Sequence, residues 1–208
     1  MLSIHSFRKS FGDHTILTIP ELSMDHGIHW IKGRNGSGKT TLFNCIAGLS
    51  PYQGQIELTG INLGKSPGDY KLKVNYSQSE PVYPEFLSGE ELISYFARLK
   101  KAESEQVNSL IQSLGVDQFA QKSTGSYSSG MIKKLSIILA FLGEPSLIIL
   151  DEPLITLDKE SQEVVTQLIA SQYQKGTAFI FATHQDFENA LIEATQVYEV
   201  KDQTIHVL

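Results

Sequence analysis

Residues 33–40 read GRNGSGKT, and no other stretch says as much about the fold. An apolar run before it predicts a strand over Gly27 to Ile31, and the residues after it predict a helix from about Lys39 to Leu49. The pattern G-x-x-x-x-G-K-[ST] between a strand and a helix is typical of a phosphate-binding loop. The sequence therefore predicts an α/β fold built around this loop.

The chemistry of the loop suits a nucleoside triphosphate. Its glycines let consecutive backbone N–H groups turn toward phosphate oxygens, and the helix N-terminus adds positive potential. Lys39 would span the β and γ phosphates, and the Thr40 hydroxyl would bind Mg²⁺. A dinucleotide fingerprint is excluded because Thr41 takes the place of its third glycine. We assign to nucleotide binding Gly33, Arg34, Asn35, Gly36, Ser37, Gly38, Lys39, Thr40 and Thr41.

A second apolar stretch, Leu147 to Leu150, predicts a buried strand that ends in Asp151 and Glu152. The end of this strand would face the same phosphates. Asp151 can then hold Mg²⁺, while Glu152 points elsewhere and can polarise the attacking water. Strand-end acids alone are often surface residues, so the assignment depends on the phosphate loop.

The rest of the chain predicts one domain, residues 1–208, of the P-loop NTPase class with a parallel-sheet core. Its first part reads as short strands that form an N-terminal antiparallel β subdomain. Residues of about 80–145 read as helices alone and are predicted to form an inserted helical subdomain. The other predicted strands are Leu2–Phe7, Thr15–Leu22, a pair near Gln55–Asn62 and Lys73–Tyr76, Thr177–Ala182, Gln196–Lys201 and Thr204–Leu208. The other predicted helices are Glu90–Leu99, Glu105–Leu114, Met131–Leu142, Glu160–Ser171 and Asp186–Ala194.

Composition and charge disfavour several classes of protein. The chain has 208 residues, 41% of them hydrophobic and 19% charged, and its formal net charge is −6. An acidic chain is a poor candidate for broad nucleic-acid binding, so no nucleic-acid partner is expected. Neither a signal peptide nor a stretch long enough to span a membrane is recognisable, which predicts a cytoplasmic protein. The single cysteine, Cys45, lies among apolar residues and is expected to be buried.

Several motifs in order resemble the ATP-binding cassette (ABC) family, the motor subunits of ABC transporters. Residues 127–131, YSSGM, resemble the signature loop, usually LSGGQ, which in that family completes the ATP site of a partner subunit. Ser129 replaces a glycine and Met131 replaces a glutamine. The resemblance implies that Ser128, Ser129 and Gly130 contact ATP bound to a second ATP-binding subunit, in a homo- or heterodimer.

The same resemblance implies further site residues. Gln78 matches the glutamine that contacts Mg²⁺ and reports to the membrane subunit, and His184 matches the switch histidine that contacts the γ-phosphate and orders Glu152. Phe11 stands where the family places an aromatic residue against adenine, and Asp158 matches the D-loop aspartate. The implied activity is ATP hydrolysis. Hydrolysis would drive a separate transmembrane permease, and contact with that permease would hold the protein at the inner face of the membrane.

Two longer stretches, 127–135 (YSSGMIKKL) and 85–92 (EFLSGEEL), resemble the branch that exports drugs, lipids or polysaccharides. Other interpretations stay open. YSSGM also reads as a simple helix cap, and Phe11 as an ordinary buried aromatic residue. The chain could be a soluble cassette that acts on ribosomes or DNA, or a catalytically weak regulatory cassette in a heterodimer. The retained Glu152 and His184 argue against the regulatory interpretation.

Overall fold

The computed structural model describes residues 1–182 and 192–208. Within these ranges the elements follow one another in the order β1 (Leu2–Phe11), β2 (His14–Met24), β3 (Ile28–Lys32), α1 (Lys39–Ile46), β4 (Gln53–Leu58), β5 (Ile61–Asn62), α2 (Pro67–Lys73), β6 (Val74–Ser77), α3 (Gly89–Lys100), α4 (Ser104–Ser113), α5 (Ser129–Phe141), β7 (Leu147–Asp151), α6 (Lys159–Gln174), β8 (Ala178–Ala182), β9 (Gln196–Lys201) and β10 (Thr204–Val207). The predicted helix Asp186–Ala194 and the predicted site residue His184 fall in or overlap residues 183–191, outside the described ranges.

The larger sheet has the strand order β10-β9-β3-β8-β7-β6. Strand β9 and strands β3, β8, β7 and β6 run parallel, and β10 closes one edge as an antiparallel strand. Every residue of β7 and β8 is buried, as expected of parallel strands that are covered on both faces. The carboxyl ends of β3 and β7 therefore meet at one edge of the sheet, where the phosphate loop and Asp151 lie. The predicted parallel-sheet core is confirmed.

Successive residues of β7 belong to different cores, because side chains alternate between the two faces of a strand. Leu147 and Ile149 pack with α1 and the smaller sheet, whereas Ile148 and Leu150 pack with the helices of the other face. Cys45 is fully buried in the first of these cores, as its apolar neighbours indicated. The site at the end of β7 thus rests on a strand that is fixed from both sides.

The smaller sheet is antiparallel, with the order β2-β1-β4-β5, and confirms the predicted N-terminal β subdomain. Strands β1 and β2 are longer than predicted, and their register shifts between Lys9 and Ser10. A bulge of this kind re-aims the side chains beside it. Ile16 of β2, which lies at this register shift, lines the cavity next to the phosphate loop.

The predicted pairing of Lys73–Tyr76 with the strands near Gln55–Asn62 is wrong. Strand β6 lies in the larger sheet beside β7, while β4 pairs with β1 and β5. The helix α2, which starts with Pro67 at its first position, was also not predicted. Both features depend on contacts between distant parts of the chain, whereas periodicity reports only which faces are apolar.

Helices α3, α4 and α5 lie between β6 and β7 in the sequence, as predicted for the inserted helical subdomain. A capping box starts α3: Glu91 N donates to Ser88 Oγ, and Ser88 N donates to the Glu91 carboxylate. Helix α5 is the most buried of the three, with an unbroken buried stretch from Leu135 to Phe141. In the described part of the chain, none of the helices combines the length and the apolar character that crossing a membrane requires.

Candidate functional site: the phosphate loop and the end of strand β7

The phosphate loop leaves β3 and returns into α1 at Lys39. Lys39 is 8% exposed, and its ammonium donates hydrogen bonds to Gly33 O at 2.8 Å and Arg34 O at 3.2 Å. Burial lowers the pKa of Lys39, and the nearby Asp151 and Glu152 carboxylates oppose that shift. Carbonyl groups of the loop itself thus hold the ammonium. A bound triphosphate would compete with these carbonyl groups for the ammonium.

Close packing at Gly38 explains why the loop needs a glycine before its lysine. The φ angle of Gly38 is 108°, and a Cβ there would lie 3.1 Å from Ile16 Cγ2. Gly38 caps α1 without a side-chain hydrogen bond, so no side chain caps the first N–H groups of this helix, whose first residues line the cavity. Ser37 Oγ is buried and has no hydrogen-bond partner among the described residues. Such groups fit a bound phosphate.

Asp151 and Thr40 come together as the sequence predicted. Thr40 Oγ1 donates to Asp151 Oδ2 at 2.7 Å, and the Asp151 side chain is 2% exposed. Burial raises the pKa of Asp151; the Thr40 hydrogen bond opposes that shift first, and two nearby lysines add to the opposition. A hydroxyl and a carboxylate side by side are oxygen ligands of the kind that Mg²⁺ prefers, so these residues fit the predicted metal.

Glu152 has an unusual backbone conformation. Its φ angle is 50°, in the left-handed region, which costs an L-residue about 1–2 kcal/mol. Glu152 N donates to Ala182 O of the neighbouring strand at 2.8 Å. Because of this turn the chain leaves β7 abruptly, and Asp151 and Glu152 both line the cavity from different positions. Two adjacent carboxylates can therefore perform different tasks.

Lys133 is a site residue that the sequence analysis missed. It lies in α5 and is 1% exposed, and its ammonium donates to Gln78 O at 2.8 Å and Asp151 O at 2.9 Å. Burial lowers the pKa of Lys133 to about 8, opposed by the charges of Asp151 and Glu152. The sequence did contain a signal for this role, because Lys133 stands in the apolar stretch that follows the signature loop. A lysine buried in such a stretch is almost always paired.

The signature residues form the exposed start of α5. Ser128 is the N-cap, and its Oγ accepts a hydrogen bond from Met131 N at 3.2 Å. Ser128 and Ser129 are exposed. Gly130 packs closely on the loop between β7 and α6, where a Cβ on Gly130 would lie 3.0 Å from Thr156 O. The helix-cap interpretation therefore describes what Ser128 does within this chain.

A cavity of about 820 Å³ joins these groups. It is lined by Ile16, Asn35, Gly36, Ser37, Gly38, Lys39, Thr40, Thr41, Ser79, Glu80, Pro81, Tyr127, Ser129, Ile132, Lys133, Asp151, Glu152, Ile155 and Thr156. The loop from Asn35 to Thr41, both strand-end carboxylates and Ser129 thus share one space. Gly33, Arg34, Ser128 and Gly130 adjoin it without being among the described lining residues.

Gln78 and Phe11 are not among the residues that line this cavity, although Ser79, the neighbour of Gln78, is. Gln78 Nε2 contacts Asn44 Oδ1 at 3.4 Å, and Gln78 lines a separate groove beside α3. Phe11 is 59% exposed, which excludes the interpretation as a buried core residue. The Lys9 ammonium lies over its ring, 4.4 Å from the ring centroid, and the exposed ring can take part in stacking.

Comparisons with known proteins point to a single family. The family model described as ABC transporter matches residues 21–155. The chain is 31% identical over 190 residues to the uncharacterised ABC transporter ATP-binding protein YxlF of Bacillus subtilis, covering 88% of this chain and 62% of that protein. It is 32% identical over 194 residues to the spermidine/putrescine import ATP-binding protein PotA of Fusobacterium nucleatum, covering 90% of this chain and 51% of the relative. The chain thus spans between half and two thirds of the length of these relatives.

A solved structure shares the fold. The dimeric post-hydrolysis state of the ATP-binding cassette MJ0796, bound to ADP and Pi, superposes with a TM-score of 0.84 at 18% identity. The match covers 99% of this chain and 97% of that one. At this level of identity the likeness shows the fold.

Proposed function

The chain belongs to the ABC transporter family, and from that premise we propose that it binds Mg-ATP at the phosphate loop and hydrolyses it to drive a separate transmembrane permease. The observation that carries the proposal is the hydrogen bond between Thr40 and Asp151 beside Glu152, in one cavity with the phosphate loop. The loop alone would indicate phosphate binding. The paired metal ligands with a second carboxylate next to them supply what hydrolysis requires.

In this mechanism the loop N–H groups and Lys39 bind and orient the β and γ phosphates. Thr40, Asp151 and, by resemblance, Gln78 would hold Mg²⁺, which when bound neutralises phosphate charge. Glu152 orients a water molecule and accepts its proton as the water oxygen bonds to the γ-phosphorus and the bond to the ADP oxygen breaks. His184, which lies outside the described residues, is assigned by resemblance to the γ-phosphate.

The signature residues are proposed to complete the ATP site of a second ATP-binding subunit. Ser128 and Ser129 are exposed at the N-terminus of α5, where a hydroxyl, backbone N–H groups and the helix dipole suit a phosphate. The related MJ0796 cassette is described as a dimer with ADP and Pi. ATP would join two subunits, and hydrolysis would let them separate, so the chemical step resets a two-state equilibrium.

The permease is proposed to occupy the groove of about 1190 Å³ beside α3. Tyr95, Leu99 and Val82 line this groove and are exposed large apolar side chains, with Phe86 exposed nearby. Clustered exposed apolar surface of this kind marks an interaction site. Gln78 lines the same groove, so a segment seated there would touch the residue that the family resemblance assigns to Mg²⁺ and to communication with the membrane subunit. This contact would hold the chain at the inner face of the membrane.

Export is the proposed direction, and residues 127–135 and 85–92, with their resemblance to exporter cassettes, support it. PotA carries the name of an import protein, so family membership alone is compatible with either direction. The rival function is that of a soluble cassette acting on ribosomes or DNA. The acidic net charge of −6 disfavours it.

The test is affinity purification of the tagged chain from detergent-solubilised membranes of the organism that produces it. We expect one membrane-spanning protein to copurify, to stimulate ATP hydrolysis in vesicles and to move a substrate outward. Leu99→Glu should weaken the copurification, whereas Ser109→Glu, an exposed change on α4, should not. Recovery with ribosomes or DNA, equally from both variants, would contradict the transporter role.

A further inference from the structure

Helix α5 is attached to the carboxyl ends of two neighbouring strands by one buried lysine. The last pair of the β6–β7 ladder is Ser77 with Leu150, and the residues that follow each of them are Gln78 and Asp151. Both carbonyl groups of this next pair accept hydrogen bonds from the Lys133 ammonium. The lysine therefore continues the connection between the strands where the ladder ends.

The position of Lys133 is itself fixed. Three residues further along α5, Ser136 Oγ contacts Ser77 Oγ of β6 at 2.8 Å, and both side chains are buried. The ammonium is thus delivered from a helix that is anchored to β6 one turn away. A group held in this way can hold others.

The carbonyl group of Asp151 belongs to the peptide unit that leads into Glu152. At the other edge of the same peptide unit, Glu152 N donates to Ala182 O. The peptide plane is therefore bonded on both edges, on one side by Lys133 and on the other by β8. Its orientation determines the φ angle of Glu152, which is 50° and in the left-handed region. Loss of either bond would let this peptide rotate and let Glu152 relax to a right-handed or extended conformation.

We propose that Lys133 is a positioning residue for Glu152, and this inference rests on the proposed function of Glu152 as the residue that activates water. The ammonium fixes the peptide unit before Glu152 and so fixes the direction of its carboxylate. Through Gln78 O it also ties the start of the segment that leads to the permease groove to the same point. Movement of that segment would therefore be transmitted through Lys133 to the Glu152 carboxylate.

Lys100 provides a matched control at the other end of β6. Its ammonium donates to Val74 O at 2.9 Å and also to Lys71 O, and burial lowers its pKa to about 8 as well. Both lysines thus bridge two backbone carbonyl groups, but Val74 is the first residue of β6, far along the strand from Gln78. Replacing either lysine should lower the melting temperature, so stability does not distinguish a positioning role from a structural one.

The experiment compares Lys133→Met with Lys100→Met in steady-state ATP hydrolysis. We expect Lys133→Met to lower kcat by about 10- to 100-fold, the order of effect that misplacing a catalytic group by about 1 Å produces. The KM for ATP should change by less than about threefold, because the phosphate loop is untouched. Lys100→Met should keep kcat within about twofold. An equal loss of kcat in both variants, or none in Lys133→Met, would overturn the proposal.

A double-mutant cycle with Glu152→Gln separates action through Glu152 from an independent effect. If Lys133 acts through this carboxylate, Lys133→Met should lower the residual rate of Glu152→Gln by less than about twofold. Full additivity would refute the inference. If Lys133→Met does not fold, Lys133→Gln, which keeps one donor, is judged by the same cycle. If Glu152→Gln hydrolyses ATP like the unmodified protein, the proposed function of Glu152 fails instead, which is a distinguishable result.

Discussion

Two walls border the cavity at the end of β7: the phosphate-loop wall and the signature wall, formed by residues 127–131. They are built in opposite ways. On the phosphate-loop wall, Lys39 is bonded to loop carbonyl groups and Thr40 to Asp151, and the lysine and the carboxylate are almost fully buried. On the signature wall, Ser128 and Ser129 are exposed, and the side-chain bond of Ser128 is the cap of its own helix. The first wall is organised by this chain alone. The second is organised as an exposed helix terminus, and its proposed task requires another molecule.

The largest expected effect tests the first wall at Glu152. Glu152→Gln keeps the shape of the side chain but removes the base, so turnover should fall by about 10²- to 10⁴-fold, the usual contribution of a positioned general base. ATP binding should survive. Because hydrolysis is the proposed step that separates the subunits, ATP should also shift this variant toward a stable dimer. Phosphate release and size-exclusion chromatography with light scattering measure the two effects.

Asp151→Asn is the matched control for that prediction. It changes the neighbouring carboxylate in the same way, but it removes a metal ligand, so the ATP-bound dimer should weaken along with catalysis. Hydrolysis at the unmodified rate in Glu152→Gln would show that Glu152 is not the base. An inactive Glu152→Gln that stays monomeric with ATP would contradict closure of the pair by this subunit alone.

The next effect in size concerns binding at the same wall. Lys39→Ala should raise the Kd for ATP by about 10- to 100-fold, because a hydrogen bond to a charged group contributes about 1.5–3 kcal/mol. Isothermal titration calorimetry with the nonhydrolysing Glu152→Gln background measures it. Lys32→Ala, at the exposed end of β3 just before the loop, should change the Kd by less than about twofold. Equal affinities for Lys39→Ala and its parent would remove the assignment of the phosphate loop.

The sequence predicted the first wall because its chemistry is local. A loop of eight residues carries its own glycines and its own lysine, and Asp151 and Glu152 end a strand that is recognisable as an apolar run. The position of the Gln78 side chain was harder to predict. It lines the groove beside α3, and the sequence pattern does not indicate where this side chain lies.

What the sequence did not predict depends on contacts between distant elements. Lys133 is a site residue only because α5 crosses the ends of β6 and β7, and Ile16 lies at a register shift of its strand pair and lines the cavity. The pairing of β6 with β7 is likewise non-local. An apolar pattern shows which face is buried but not against which partner. For the same reason the trans role of the second wall came from family resemblance and remains a prediction.

A smaller effect tests that second wall. Ser128→Arg should suppress ATP hydrolysis while each monomer still binds ATP through Lys39, because a bulky cation at the exposed helix start obstructs the partner's site. A clash that costs the closed pair about 1.4 kcal/mol lowers its population about tenfold, and activity should follow. Ser126→Arg, an exposed change two residues earlier, is the control. Full activity of Ser128→Arg at all protein concentrations would refute the trans site.

The smallest effect is expected at Phe11, which lies outside both walls. Its exposed ring, which also contacts the Lys9 ammonium, is suited to stack on adenine. Phe11→Ala should therefore weaken ATP binding by about 1 kcal/mol, or about fivefold, within the range of aromatic contacts. The affinity for inorganic tripolyphosphate should not change, since that ligand has no base and uses the phosphate wall alone. Phe11→Tyr, which keeps the ring face, should retain the affinity for ATP. Equal losses for ATP and tripolyphosphate would show that Phe11 acts through the fold of β1, and an unchanged ATP affinity in Phe11→Ala would place adenine elsewhere.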